Sequence, residues 1–173
     1  MAARKLDVRK TIASLTGLLD VEVPKDATEA GFGKISEALA GICSRTMTAT
    51  AIRCEAIESL AHLGKDRARL RVVVDLKRAD LKMNNAEVKA GKNESERSAI
   101  VEVKLAKEIG ELAKAEMEYQ QIQAVVDASR KVLEALKTAK ELAGHLLDVT
   151  QKEIDLGLIT PATDWAGRDK GGG

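Results

Sequence analysis

The stretch ESERSAIVEVKLAKEIGELAKAEMEYQQIQAVVDASRKVLEALKTAKELAGHLLDVTQKEID, residues 94–155, decides how this chain folds. It holds no proline, and Leu, Ile, Val, Met and Ala recur in it every three or four residues among dense charges. Apolar residues at that interval line one side of an α-helix. At 1.5 Å per residue an unbroken helix of this span would reach roughly 90 Å, beyond the elements of an ordinary globular core. Its apolar side therefore needs another long helix, or another copy of the chain, to cover it.

Immediately upstream, NNAEVKAGKN at residues 84–93 reads as a turn between two long helices, with an interior able to stay helical. Asn93 or Ser95 opens the last helix, where Glu94 and Glu96 suit the positive end of the helix dipole. The seam of that helix is expected to run through Leu105, Ile109, Leu112, Tyr119, Ile122, Val126, Leu133, Leu136 and Leu147, with bends allowed at Gly110 and Gly144. Before the turn, residues 44–84 space Met47, Ala51, Cys54, Ile57, Ala61, Gly64, Ala68 and Val72 by threes and fours. The row continues to Leu76, Ala79 and Met83. This predicts a second amphipathic helix, its small residues admitting a close neighbour. Val72, Val73 and Val74 are β-branched and favour a strand, but the helical interval on both sides outweighs them.

Further toward the N-terminus, Leu6, Ile12, Leu15, Leu18 and Leu19 predict a short amphipathic helix, which Pro24 separates from the next. That next helix, about residues 27–43, places Phe32, Ile35, Leu39 and Ile42 on one face and is weakened by Gly31, Gly33 and Gly41. The expected fold is all-α: a long antiparallel helical hairpin over residues 44–156, short N-terminal helices in residues 1–43, and a flexible tail over residues 157–173. The sides of the hairpin helices left uncovered predict a homo-oligomer, with Leu105, Ile109, Leu112, Tyr119, Val126, Leu133 and Leu136 as its interface.

Composition agrees with helices. Of 173 residues 45% are apolar, enough for a core, and Phe32, Tyr119 and Trp165 are the only aromatics, too few for a sandwich or mixed sheet. No apolar run approaches a membrane span, and the basic N-terminus is followed by no signal-peptide core, so a cytoplasmic setting without membrane contact is expected. Cys43 and Cys54 lie eleven residues apart without nearby histidines, which argues for buried small hydrophobes over metal ligands. His62 and His145 stand in no catalytic or metal-binding spacing. Phosphate-binding loops, nucleophile elbows, HExxH and CxxC are all missing. The carboxylates alternate with lysine at spacings that give solvated helix faces, as in Glu102, Lys104, Lys107, Glu108 and Glu111. A non-enzymatic protein without metal or cofactor is expected.

Charge is unevenly spread. Residues 51–92 hold ten Lys and Arg against six Asp and Glu, whereas residues 93–173 hold eleven against fifteen. The basic cluster comprises Lys65, Arg67, Arg69, Arg71, Lys77, Arg78 and Lys82. On a helix Arg67, Arg71 and Arg78 share a side, as do Arg71, Arg78 and Lys82. Such a stripe either tracks phosphates without reading bases or pairs with the acidic last helix. The basic first arm, the turn opening into KNESERS and the long helix containing Tyr119 and continuing to Leu147 together resemble phage recombination mediators of the UvsY type, over about residues 45–150. The resemblance implies ring-forming helical proteins that bind single-stranded DNA through basic residues. Such proteins load a recombinase onto DNA coated by single-strand binding protein, here in a bacterial host cytoplasm. No aromatic platform accompanies the basic arm, which leaves phosphate contacts as the main term in any such binding. The rival class is a phage scaffold, tail component or other coiled-coil assembly protein; a regulator of one protein partner is a third.

Overall fold

The computed structural model describes the backbone of residues 6–24 and 27–158. Every regular element among them is an α-helix: α1 Val8–Gly17, α2 Ala27–Asn84, α3 Ala86–Ala90, α4 Glu94–Lys104 and α5 Ala106–Asp155. The long helices α2 and α5 pack along each other as a helical hairpin. The chain divides into two compact units, each built from part of α2 and part of α5.

The unit formed by residues 53–127, with residues 6–11, contains the hairpin's turn. Three aliphatic side chains, Val88 of α3, Val101 of α4 and Leu105 just after α4, are buried together against Leu81, Ile100 and Ile109. Both short helices begin on asparagine caps. The Asn85 carboxamide oxygen accepts from the Glu87 and Val88 amides at 3.1 and 3.2 Å, and that of Asn93 accepts from Glu96 at 2.8 Å. Glu96 in turn accepts from the Lys92 amide at 2.8 Å, so donors that a helix start leaves orphaned are satisfied. Gly91 is buried where the chain turns, and a Cβ there would stand 2.8 Å from Cγ of Arg97. The Arg97 Nε donates to the Gly91 carbonyl at 3.0 Å, holding that approach.

In the other unit, within residues 12–52 and 128–158, the core includes Leu15, Ile35, Ile42 and Ala49 with Ser129, Val132, Leu136, Ala143 and Thr150. Ile35, Ile42 and Ala49 recur every seven residues, as do Leu136, Ala143 and Thr150, the interval that keeps two long helices in contact. The Thr150 hydroxyl donates to the Leu146 carbonyl at 2.8 Å, which satisfies it inside the seam. Arg45 of α2 donates from Nη1 to the carbonyls of Leu18 and Asp20, tying the end of α1 to the long helix. Gly157 ends α5 at φ +70, with its amide donating to Ile154 and the Leu158 amide to Glu153, both at 2.9 Å. That is the Schellman arrangement, which needs a residue free to adopt a left-handed backbone.

Several expectations are corrected. No break separates residues 43 and 44, because α2 is one helix of 58 residues. Gly33 and Gly41 lie in it with open space around them, so their weakness is local and is carried by the packed residues on either side. The last helix is interrupted at Leu105 (φ −100, ψ 9), not at Gly110 or Gly144, which sit within α5. Cys43 and Cys54 are exposed, not buried. The expected tail falls mostly on residues 159–173, outside the described residues.

The largest correction concerns which side of α2 faces inward. Met47, Cys54, Ala61, Ala68, Val72 and Ala79 are exposed, and the covered residues stand two positions later: Ala49, Ala56, Leu63, Leu70, Val74 and Leu81. Two positions are about 200° of helix, so the expected seam is the outer face. Of the residues assigned to that row, Gly64 does face α5: its missing Cβ would lie 3.5 Å from the Tyr119 ring.

Candidate interaction surfaces on the long helices

The seven residues of the basic cluster meet different fates, set by their angle on α2. Arg67, Arg71 and Arg78 do fall within about 40° of one another, but the buried Val74 lies within that same neighbourhood. Their common side therefore borders the α5 seam. Arg67 spends its charge there, with its guanidinium carbon 4.3 Å from the centroid of the Tyr119 ring. Lys77 pairs with Glu108 of α5, and Lys82 with Glu94 of α4 at 3.1 Å. Arg78 contacts Asp75 of its own helix at 3.5 Å.

Three of the seven remain without an ion-pair partner among the described residues: Lys65, Arg69 and Arg71, all exposed. Lys65 and Arg69 share one side of α2, whereas Arg71 stands more than 100° away, so they make no continuous stripe. Arg69 borders an open groove floored by Leu63, Leu70 and Ala115, whose rim also carries Asp66, Glu111, Lys114 and Glu118. Three carboxylates against two cations make that groove a poor cradle for a phosphate.

Two carboxylates beside the turn are tuned by this pairing. Glu87 is held below its ordinary value of 4.5 by a hydrogen bond from Lys104, reinforced by that lysine's charge. Glu108 is lowered from the same value by the hydrogen bond from Lys77 and by a backbone amide. These pairs fasten α3 to α4 and α2 to α5, so the basic arm serves its own hairpin first.

The residues expected to join copies are divided. Leu105 and Leu136 are buried within the single chain, and Ile109, Leu112, Tyr119, Val126 and Leu133 are half-buried. Leu105 and Leu136 are thus already covered and leave a second copy nothing to bury. Large apolar side chains are instead exposed on the outer side of α2, with Val72 57%, Leu76 66% and Met83 70% accessible. The apolar interval includes these residues but predicts that they face inward. What could have separated the two sides is the row Leu39, Thr46, Arg53, Leu60, Arg67, Val74 and Leu81, an unbroken seven-residue interval of covered positions. Its two arginines hid it.

Among the described residues no group of three or more His, Cys, Asp or Glu is placed to hold a metal ion, and no helix is long and apolar enough to cross a membrane. Comparison with known proteins finds no matching family model, no matching curated protein and no matching solved structure.

Proposed function

We propose that this is a non-enzymatic coiled-coil assembly protein, whose long helices hold their own hairpin with one side and meet further copies with the other. The observation that carries this reading is the exposed row Val72, Leu76 and Met83 on α2, opposite a side already occupied by α5. One apolar side suffices to fold a hairpin; a second is a burden on a monomer unless something covers it. Scaffold and tail-component roles, in which a helical subunit is used for the contacts it makes with its own kind, fit this chemistry.

A second reading, a single-stranded DNA accessory protein of the recombination-mediator type, is favoured by one observation: Lys65, Arg69 and Arg71 are exposed and unpaired among the described residues. Repeated around an oligomer, three cations per chain would give a polyanion useful avidity. That reading implies a recombinase and a single-strand binding protein as partners, in a bacterial host cytoplasm.

Mass in solution, measured with and without an oligonucleotide at rising salt, separates the two. The assembly reading expects an oligomer at tens of micromolar that ignores the oligonucleotide. The DNA reading expects a complex whose log affinity falls with log salt by about 0.7 for each phosphate neutralised, and whose loss follows Lys65→Glu, Arg69→Glu and Arg71→Glu together. A monomer under all conditions overturns the assembly reading.

A further inference from the structure

We propose that the outer face of α2, from Met47 to Leu76, pairs antiparallel with the same stretch of a second copy. This rests on the assembly reading and specifies its partner and register. Four exposed charges border the apolar row here, Glu55, Glu58, Lys65 and Arg69, and none has an ion-pair partner among the described residues. They occupy about 80° of the helix surface, a band that begins beside Val72, takes in the angle of Leu76 and extends beyond it as one flank of the outer face.

Their order along the helix is two acids and then two bases. Glu58 and Lys65 lie equally far from the midpoint between Ala61 and His62, and Glu55 and Arg69 share that centre to within a residue. A second α2 laid antiparallel about this point brings Glu58 to the partner's Lys65 and Glu55 to the partner's Arg69. Twofold symmetry keeps the same flank of both helices together and makes each pair twice. A parallel copy in register would set acid against acid and base against base, which such contacts penalise. At the crossing Ala61 is small and exposed, so the two backbones can approach closely. The four charges left unused inside the chain are thereby all used between chains.

Sedimentation equilibrium on Glu58→Lys, Lys65→Glu and the double variant tests the register. Each single reversal is expected to raise the dissociation constant by about tenfold or more. The double variant recovers wild-type affinity, and an equimolar mixture of the two single variants associates more tightly than either alone. All four positions are exposed, so helix content by circular dichroism stays unchanged. Oxidative cross-linking adds a geometric reading. In a background with Cys43→Ser and Cys54→Ser, Ala61→Cys forms a disulfide dimer. With Cys43→Ser alone, Cys54 forms none, because the two copies of Cys54 stand about 22 Å apart along the pair. An associating protein in which the double variant is not rescued, or in which Cys54 cross-links to itself, overturns the register and leaves the assembly reading standing. A wild-type monomer at tens of micromolar overturns both.

Discussion

Gly64 and Gly91 are both glycines near a packed side chain, yet substitution should move them in opposite directions. A Cβ at Gly64 meets Tyr119 at 3.5 Å, ordinary van der Waals contact, in the middle of a helix where glycine costs about 0.5–1 kcal/mol relative to alanine. Gly64→Ala should therefore raise stability by about that amount in a urea titration. At Gly91 the same methyl would sit 2.8 Å from Cγ of Arg97, close to the backbone end of a side chain already held by its bond to the Gly91 carbonyl. Gly91→Ala should cost about 1–3 kcal/mol, as overpacking does elsewhere. Glu87 and Glu108 add a dependence on pH. Their folded pKa values are depressed, so the stability they contribute is complete above the ordinary carboxylate value of 4.5 and is lost as pH falls through the lower folded values. The midpoint of urea unfolding should drop across that acid window, and Lys77→Met with Lys104→Met should flatten the drop.

At the scale of the element, the caps and the seams divide the energetic burden. Asn93→Ala removes the acceptor for the Glu96 amide and should cost about 1 kcal/mol. Leu136→Ala empties a site with 1% exposure and should cost about 2–5 kcal/mol, whereas Leu76→Ala, at 66% exposure, should leave the stability of the dissociated chain nearly unchanged. The cap at Asn93, the turn over residues 84–93 and the helical nature of both arms were legible because capping chemistry and apolar interval are local properties; the cap at Asn85 was not expected. The α5 seam was legible in part: Ile122 and Leu136 are buried as expected, as is Leu105 just before the helix, but Val125 and Val132 are buried in place of the expected Val126 and Leu133 one position later, and Ser129, Ala143 and Thr150 are small or polar residues that do not announce a seam. Which side of α2 faces inward was not legible. Alanine, cysteine and methionine at heptad spacing marked the outer face as clearly as leucine marked the inner one. Arg53 and Arg67 interrupted the inner row with charge, and only the position of Tyr119 explains how one of them is accommodated.

The basic cluster illustrates the same limit for the molecule as a whole. Seven cations within eighteen residues of sequence suggest a polyanion, but Lys77, Lys82, Arg78 and Arg67 are engaged by partners that lie up to 52 positions away. Sequence proximity counted charges; folding decided which of them are free. Left unsatisfied on α2 are an apolar row and a small set of charges beside it, and both would be satisfied by a second copy. The most direct test is sedimentation equilibrium of the wild type beside Leu76→Glu at tens of micromolar. The wild type should be an oligomer and Leu76→Glu a monomer of the same helix content, because Leu76 is exposed within the chain and its replacement removes only an intermolecular contact. A monomeric wild type, or an oligomer that Leu76→Glu leaves intact, would contradict the claim that the outer face of α2 is where copies meet.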